Sequence, residues 1–394
     1  MKIAISGAGI AGPTLAYWLS RTGHEPVLIE TAPQLRTGGY VIDFWGAGYA
    51  IADRMGLAPA VRQAGYAIEE VRLLDRSGRK TGGFGVGPFR QVFDGRFTSV
   101  PRGELARLIY EAIDGDVETI FNDRIAAIDQ RDDGVQVAFG SGRHREFDLV
   151  IGADGIHSSV RGAVFGPDVA FTKNLGYWVA AFETEGYRPR DELVYLAYAQ
   201  AGRMVARFAL RNDRTMFLFV FSDDQVAPAE LGDTRDGKTV LRQVFGADGW
   251  ECPQILAQLD RAGDLYFDRV SQISMDCWSN GRVALIGDAA CCVSLLAGEG
   301  TGLAMLQAYV LAGELDKAGG DHREAFRCYE QRLRALIEGK QKSARAFAAA
   351  LAPKTSLGLW TRNRVSRLLD VPALAQWAIR REFSDEIELP AYAM

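Results

Sequence analysis

The spacing of apolar residues changes several times along the chain. Lys2-Ile3-Ala4-Ile5-Ser6 is a short apolar run, followed by glycines, a helical spacing through Tyr17 and Leu19, and a second run ending Val27-Leu28-Ile29-Glu30. Strand, helix and strand in that order make a β-α-β unit, which implies a parallel sheet. From Val71 to Asp75, and again from Tyr177 to Ser222, strand patterns follow one another without a helix between them: Tyr177–Glu183, Leu193–Ala199, Arg203–Leu210 and Thr215–Phe221. Strands joined so closely are expected to pair antiparallel. Parallel character returns in Phe147–Gly152 and Val283–Asp288, apolar runs that close on glycine and aspartate. Ser77–Pro88, with five glycines, reads as a loop. From Arg323 onward Phe326, Tyr329, Leu333, Leu336, Ile337, Phe347 and Leu351 recur at helical spacing and predict a long packing helix.

The two kinds of sheet therefore interleave. The simplest arrangement is a discontinuous nucleotide-binding domain (1–70, 98–170 and 265–320), a second domain inserted into it (71–97 and 171–264) and C-terminal helices (321–394). Leu357–Arg381 mixes Trp360, Leu368, Leu369, Trp377 and Ile379 with arginines. That mixture suits helices lying at a membrane interface as well as helices packed on the core, and packing is the expectation.

Composition narrows the function. A net charge of -5, with no basic stripe, gives no electrostatic reason to bind nucleic acid or an anionic membrane. No apolar run approaches the roughly 20 residues needed to span a bilayer, and the first residues carry no charged leader pattern. A soluble, unprocessed, cytoplasmic protein is expected, monomeric or weakly self-associating. The five cysteines (Cys252, Cys277, Cys291, Cys292, Cys328) form no C-x-x-C pair, so neither disulfide framework nor zinc site is expected. The adjacent Cys291 and Cys292 are better read as small buried hydrophobes than as a redox pair. The four histidines (His24, His144, His157, His322) lack metal-like spacing, and no metal is expected.

Gly7-Ala8-Gly9-Ile10-Ala11-Gly12 is G-x-G-x-x-G between a strand and a helix, with the acidic Glu30 ending the next strand. Gly7 permits the tight turn, Gly9 lets a pyrophosphate approach the backbone, and Gly12 lets helix and strand pack closely. The helix N-terminus offers free N–H groups and partial positive charge to phosphates, and Glu30 can accept from ribose hydroxyls. This is a dinucleotide site; the unit alone leaves FAD and NAD(P) both open.

Two further segments bear on that choice. Asp148–Arg161, containing Gly152-Ala153-Asp154-Gly155, resembles the DG motif of the flavin monooxygenases with the p-hydroxybenzoate hydroxylase fold, and Arg282–Ala290, containing Gly287-Asp288, resembles their GD motif. The order and separation of the three motifs match that family over essentially the whole chain, most closely its compact tetracycline-inactivating type. The resemblance implies an α/β Rossmann-like FAD-binding domain, an inserted antiparallel β-sheet substrate domain and a helical C-terminus. It implies that Asp43 and Arg102 contact FAD and that Arg36, in Arg36–Asp43, lies near the flavin or meets the nicotinamide cofactor. It also implies that Asp154 and Arg161 serve either FAD and NAD(P)H or an ion pair that holds the motif together. Asp288 would accept from ribityl hydroxyls, while Gly298, Gly300, Thr301 and Gly302 would bring backbone N–H groups to the flavin. The null alternative for Asp288 is a helix N-cap.

One departure stands out. Relatives often carry histidine and prolines before G-Q-G, whereas this chain has Cys291–Gly302, with Glu299 in place of glutamine, so the flavin face should be differently shaped and hold an acid near the ring. Arg203 and Arg207 share one strand face and could meet an acidic or phenolate substrate, a solvated face being the plainer expectation. Trp45, Tyr177, Trp178, Phe208, Phe217, Phe219 and Phe221 could wall a flat pocket, although strand aromatics usually belong to the core.

The function these features imply is an FAD-dependent, NADPH- or NADH-consuming monooxygenase that hydroxylates an aromatic or polycyclic small molecule with O2 through a flavin C4a-hydroperoxide. The cofactor carries that chemistry, so no residue is assigned as nucleophile or base, and the protein's tasks are to place the substrate and exclude water. No second G-x-G-x-x-G follows, so the nicotinamide cofactor should visit transiently. A dehydrogenase or reductase of the same fold and a non-catalytic flavin-binding accessory protein are the alternatives. A tryptophan-halogenase role is disfavoured by the lack of a W-x-W-x-I-P segment.

Overall fold

The structure is a computed structural model that describes residues 1–36, 38–226, 236–294, 296, 298–383 and 388–393, without the side chains of 345–349, 382 and 383. Lys2–Ser6 lies in the middle of a six-stranded sheet, flanked in parallel by Glu25–Glu30 and Leu149–Gly152. Val283–Leu285 and Glu118–Phe121 extend it on either side, also in parallel, and Ser279–Asn280 adds an antiparallel edge. Ile3, Ala4, Ile5, Leu149, Val150 and Ile151 are fully buried, because helices cover both faces of such a sheet. The glycine-turn helix, Ala11–Arg21, packs against the central helix Gly300–Lys317. A ligand for such a sheet belongs at the carboxyl ends of the strands.

The second sheet has seven strands in the order Tyr266–Ile273, Thr172–Glu185, Arg214–Ser222, Arg203–Ala209, Val194–Gln200, Glu70–Leu74, Lys80–Gly85. Tyr266–Ile273 joins this sheet, so the chain returns to the parallel sheet only at Ser279. One face is sealed by Phe217, Phe219 and Phe221 against the helices Gly237–Phe245 and Cys252–Ala257. The four strands expected between Tyr177 and Ser222 are present and antiparallel to one another. Glu70–Leu74 departs from that expectation by pairing in parallel with Val194–Gln200. The chain between them passes through the nucleotide-binding sheet, and such a long crossover removes the hairpin constraint that favours antiparallel pairing.

Ser77–Pro88 is only partly a loop, since Lys80–Gly85 is the edge strand of the large sheet. Its glycines serve close approach: a Cβ on Gly82 would stand 2.7 Å from the Asn363 carbonyl oxygen, where a C-terminal helix lies against the strand. The predicted packing helix is a single helix of 30 residues, His322–Leu351, with Phe326, Tyr329, Leu333 and Ile337 buried; the Phe347 side chain lies outside the described residues. The expectation that the last helices bury their apolar residues fails in part. Ile379 is buried and Leu369 half-buried, but Trp360, Leu368 and Trp377 are exposed.

Candidate active site

The three glycines of the first turn meet three different surroundings. Gly7, at φ +104°, donates its N–H to the Ile29 carbonyl at 2.7 Å, and a Cβ there would fall 2.5 Å from the Ala153 carbonyl oxygen. A Cβ on Gly12 would fall 2.0 Å from the Gly7 carbonyl oxygen, so helix and strand touch backbone to backbone. At Gly9 the nearest group would be Arg102 Nη2, at 3.9 Å, which leaves an open cradle in front of the backbone. The helix behind it, Ala11–Arg21, follows Ile10 with no side-chain cap and has no acidic residue in its first turn, so its N–H groups remain available to an anion. That cradle fits a dinucleotide pyrophosphate.

Glu30 braces the turn. One carboxylate oxygen accepts from the Ala8 N–H at 2.9 Å, the other from the Ala32 N–H at 2.9 Å and the Thr31 hydroxyl at 3.2 Å. Arg36 lies 3.6 Å from Glu30 with a side chain 73% exposed, at the outer end of the groove. The rest of Arg36–Asp43 runs inward, Thr37 lying outside the described residues. Asp154 accepts from the Ser6, Ser158 and Ser159 hydroxyls and from the Ser159 and Val160 N–H groups, tying its loop to the end of the first strand. Arg161 is wholly buried and donates to Asp168 at 2.8 Å and to the Ala289 carbonyl at 2.9 Å, which links the two glycine-aspartate segments. The ion pair that holds this motif is thus made by Arg161 with Asp168.

Arg102 draws the distant segments together. It begins the helix Arg102–Glu111, donates its backbone N–H to the Tyr40 carbonyl at 3.0 Å and carries its guanidinium to the glycine turn. Asp288 starts the short helix Asp288–Cys291, behind Gly287 at φ +63°. Burial raises the Asp288 carboxyl above its usual range while Arg102 and a hydrogen bond from Cys292 pull it down. Tyr40 and Tyr266 pack beside this pair with ring centroids 6.1 Å apart. Burial pushes the Tyr40 phenol up to about 12, against the pull of Arg102, and raises Tyr266 further. Both hydroxyls stay protonated as donors at neutral pH.

A second cluster lies further along the same segment. Asp43, on the strand Val41–Phe44, stands opposite Ser99 on Thr98–Pro101 and accepts a hydrogen bond from its hydroxyl. The carboxyl sits deep among protein atoms yet opens to a crevice, and desolvation raises its pKa despite the Ser99 bond. Tyr195 is near enough for the Asp43 charge to add to the burial that raises its phenol. The crevice is lined by Asp43, Trp45, Gly48, Gly298, Glu299 and Gly302. Trp45 meets Phe93 and Phe97 at centroid separations of 6.1 and 6.2 Å. Tyr40, Tyr195, Tyr266, Phe93 and Phe97 were not singled out by the motif reading. They come from separated segments, and no local spacing marks them.

The expectations for the glycine-rich loop divide. Gly298, at φ +70°, borders the crevice; a Cβ on Gly300 would lie 3.8 Å from Asp288 Oδ1, and Thr301 is buried in the first turn of the central helix. Gly302 meets the backbone of Gly48, where a Cβ on Gly48 would stand 2.5 Å from the Gly302 Cα, so it is also a helix contact. Glu299 reaches Lys340 of the long helix at 3.1 Å and is therefore ion-paired at the crevice. Leu295 and Ala297 lie outside the described residues. Cys291 and Cys292 are buried thiols, raised well above the usual thiol range by desolvation.

Arg203 and Arg207 correct the sequence expectation on both counts. Arg203 holds Asp248 through two bonds of 2.8 and 2.7 Å, and Arg207 holds Glu251 at 2.7 and 3.0 Å and Asp191 at 2.7 Å. Arg207 is 2% exposed. Both side chains are neutralised by acidic residues, Arg207 out of solvent and Arg203 partly exposed, and neither lines the crevice. Of the strand aromatics, Phe208, Phe217, Phe219 and Phe221 are fully buried, Tyr177 and Trp178 nearly so, while Trp45 faces the crevice.

Comparison with known proteins gives this geometry its family. The model of the FAD binding domain family matches residues 1–336. A flavin-dependent monooxygenase of Legionella longbeachae is 36% identical over 348 residues, 87% of each chain, and an FAD-dependent monooxygenase of Sarocladium schorii is 28% identical across 100% of this chain and 98% of its own. Among solved structures, the tetracycline destructase Tet(51) has a TM-score of 0.82 at 31% identity, with 99% of each chain covered. HpxO of Klebsiella pneumoniae, complexed with FAD and uric acid, shares the fold at 23% identity with a TM-score of 0.78 over 95% of each chain. The fold is that of an FAD-binding domain, and this chain belongs to the class A flavin-dependent monooxygenases.

Proposed function

We propose that the enzyme hydroxylates a fused-ring aromatic or polycyclic small molecule, using O2 and either NADPH or NADH. The carrying observation is the crevice lined by Asp43, Trp45, Gly48, Gly298, Glu299 and Gly302, with the Phe93 and Phe97 rings packed against Trp45. Flat apolar rings present their faces to a flat substrate, and a few polar groups fix its orientation. The relatives support the size class: one is a tetracycline destructase and another is complexed with uric acid, both fused-ring molecules.

In this reading the pyrophosphate lies on Gly7, Gly9 and Gly12, with Arg102 as counter-charge and Glu30 toward the ribose. Asp288 would hold the ribityl chain, Gly298, Gly300, Thr301 and Gly302 would offer backbone N–H groups to the ring, and Asp43 would also hold FAD. Asp154 keeps the turn's floor in place, and Arg36, exposed at the groove's mouth, meets the visiting nicotinamide cofactor. Bound FAD supplies the reduction of O2 and the transfer of one oxygen atom. The chain's own part is orientation and exclusion of water, and the neutral phenols of Tyr40 and Tyr266 can donate to an anionic ring edge without a charge of their own.

The test is to incubate the FAD-loaded enzyme with NADPH or NADH under 18O2 with fused-ring probes, tetracycline among them, and weigh the products. One labelled oxygen per product molecule is expected. Label entering from water instead of O2 would refute the reading.

A further inference from the structure

Among the described residues nine large apolar side chains are exposed, and seven of them fall between Leu357 and Trp377. They belong to two consecutive helices, Ser356–Ser366 and Pro372–Phe383. Each helix carries the same pattern, L-x-x-W-x-x-x-R: Leu357, Trp360 and Arg364 in the first, Leu374, Trp377 and Arg381 in the second. Residues so spaced share one face of a helix. In both helices the arginine lies over the tryptophan ring, at 5.1 and 5.5 Å from its centroid. Leu368 and Val371, between the helices, are 54% and 47% exposed.

The first helix is inside out. Its polar side is turned to the protein: Ser366 accepts from the Gly83 N–H at 3.0 Å, Asn363 donates to the Thr81 hydroxyl at 3.0 Å, and Arg362 donates to the Leu351 carbonyl at 2.7 Å. These bonds fasten it to the edge strand Lys80–Gly85 and to the end of the helix His322–Leu351, and leave Leu357, Trp360 and Val365 outward. The second helix follows the usual order on its inner side, with Ala375 and Ile379 buried and Gln376 bonded to Gln91 at 2.9 Å. Exposed apolar surface gathered in one stretch marks an interaction site.

Charge decides the partner. The two helices and their connection, residues 356–383, hold five arginines against Asp370 and Glu382, within a chain whose net charge is -5. Tryptophan and leucine flanked by arginines whose stems reach along the rings is the composition of a helix lying in the headgroup layer of an anionic bilayer. Neither helix is long and apolar enough to cross one. A second copy of the chain would bring its own arginines against these.

We propose that this face docks the enzyme on an anionic lipid surface, both tryptophans entering the interface and Arg364 and Arg381 facing lipid phosphates. Docking would set the bilayer one helix away from the crevice, because Pro372–Phe383 packs on Gly87–Val92, whose Phe89 ring touches Phe97. Apolar fused-ring substrates concentrate in such a surface.

The test is flotation of the full-length FAD-loaded enzyme with vesicles of phosphatidylcholine alone and of phosphatidylcholine with phosphatidylglycerol in equal parts. The double variant Trp360→Gln with Trp377→Gln is run alongside, its melting and flavin content checked to match the wild type. Partitioning should rise on the order of a hundredfold with the anionic lipid and fall back in the double variant. Wild-type protein remaining with the unbound fraction in both, or a double variant that floats as well, would overturn the proposal. So would sedimentation showing a dimer that the double variant converts to monomer, since a second copy would then cover this face.

Discussion

Gly9 and Gly12 lie three residues apart in one turn, and substitution at each should read out differently. Gly12→Ala drives a methyl into the Gly7 carbonyl and should cost on the order of 3 kcal/mol or more of stability, seen in urea unfolding. Gly9→Ala meets only Arg102 at 3.9 Å, so the FAD-free protein should melt as the wild type does while flavin affinity falls about tenfold, roughly 1.4 kcal/mol. Equal melting losses in both would sink this division of roles. Asp43 offers a test with a sign. Burial holds its carboxyl above the usual range, so folding favours the protonated form. Its contribution is favourable below the unfolded pKa and is lost as pH rises toward the folded one. Asp43→Asn should therefore raise the melting temperature of the FAD-free protein at about pH 8, and the gain should shrink as pH falls toward the carboxylate range near about 4. A gain that does not depend on pH would argue against an ionising Asp43.

At the scale of elements, contact between helices is as testable as contact at the site. Gly48→Ala should part the helices Gly46–Arg54 and Gly300–Lys317, because its Cβ would lie 2.5 Å from the Gly302 backbone; a loss of about 1–3 kcal/mol is expected. Gly302→Ala, whose Cβ would find the Gly48 Cα at 3.6 Å, should fold almost normally. Removing the buried Arg207 should cost about 3–5 kcal/mol by leaving Glu251 and Asp191 without their partner, with flavin affinity unchanged. Chemical denaturation and flavin titration check these together. What could be read from the chain was what local physics dictates. The β-α-β unit, the glycine turn and the long helix each announce themselves by period and by residues that only one backbone geometry requires. Glycines misled where their cause was distant: Gly82 read as part of a loop because the helix it admits lies some 280 residues later in the chain. Arg203 and Arg207 were misjudged for a similar reason, since period two gives the face of a strand but not what covers it. Tyr40, Tyr195 and Tyr266 escaped because their site exists only once three segments fold together.

The whole molecule joins the six-stranded and the seven-stranded sheet, and a contact between the loop after the first and a strand of the second responds to pH. His157, in the loop after Asp154, lies 3.2 Å from Asp268 on the large sheet, and that hydrogen bond raises the imidazole pKa. A raised pKa gives stability that is full below the ordinary histidine value and vanishes as pH climbs through the folded value. His157→Ala should therefore lose stability at about pH 6 but not at about pH 9, and by about 1 kcal/mol or less because the ring is largely exposed. Melting curves at the two values decide it, and a loss of equal size at both would assign the contact to packing. The functional account rests on one claim, that FAD lies along the residues from Gly9 past Arg102 and Asp288 to Asp43. The most direct measurement is a titration of the FAD-free wild type and of Arg102→Ala with FAD, followed by flavin fluorescence, with melting curves of both flavin-free proteins. The wild type should bind, and the variant should bind at least about tenfold more weakly with its melting unchanged. Equal affinity in the two proteins would contradict the account.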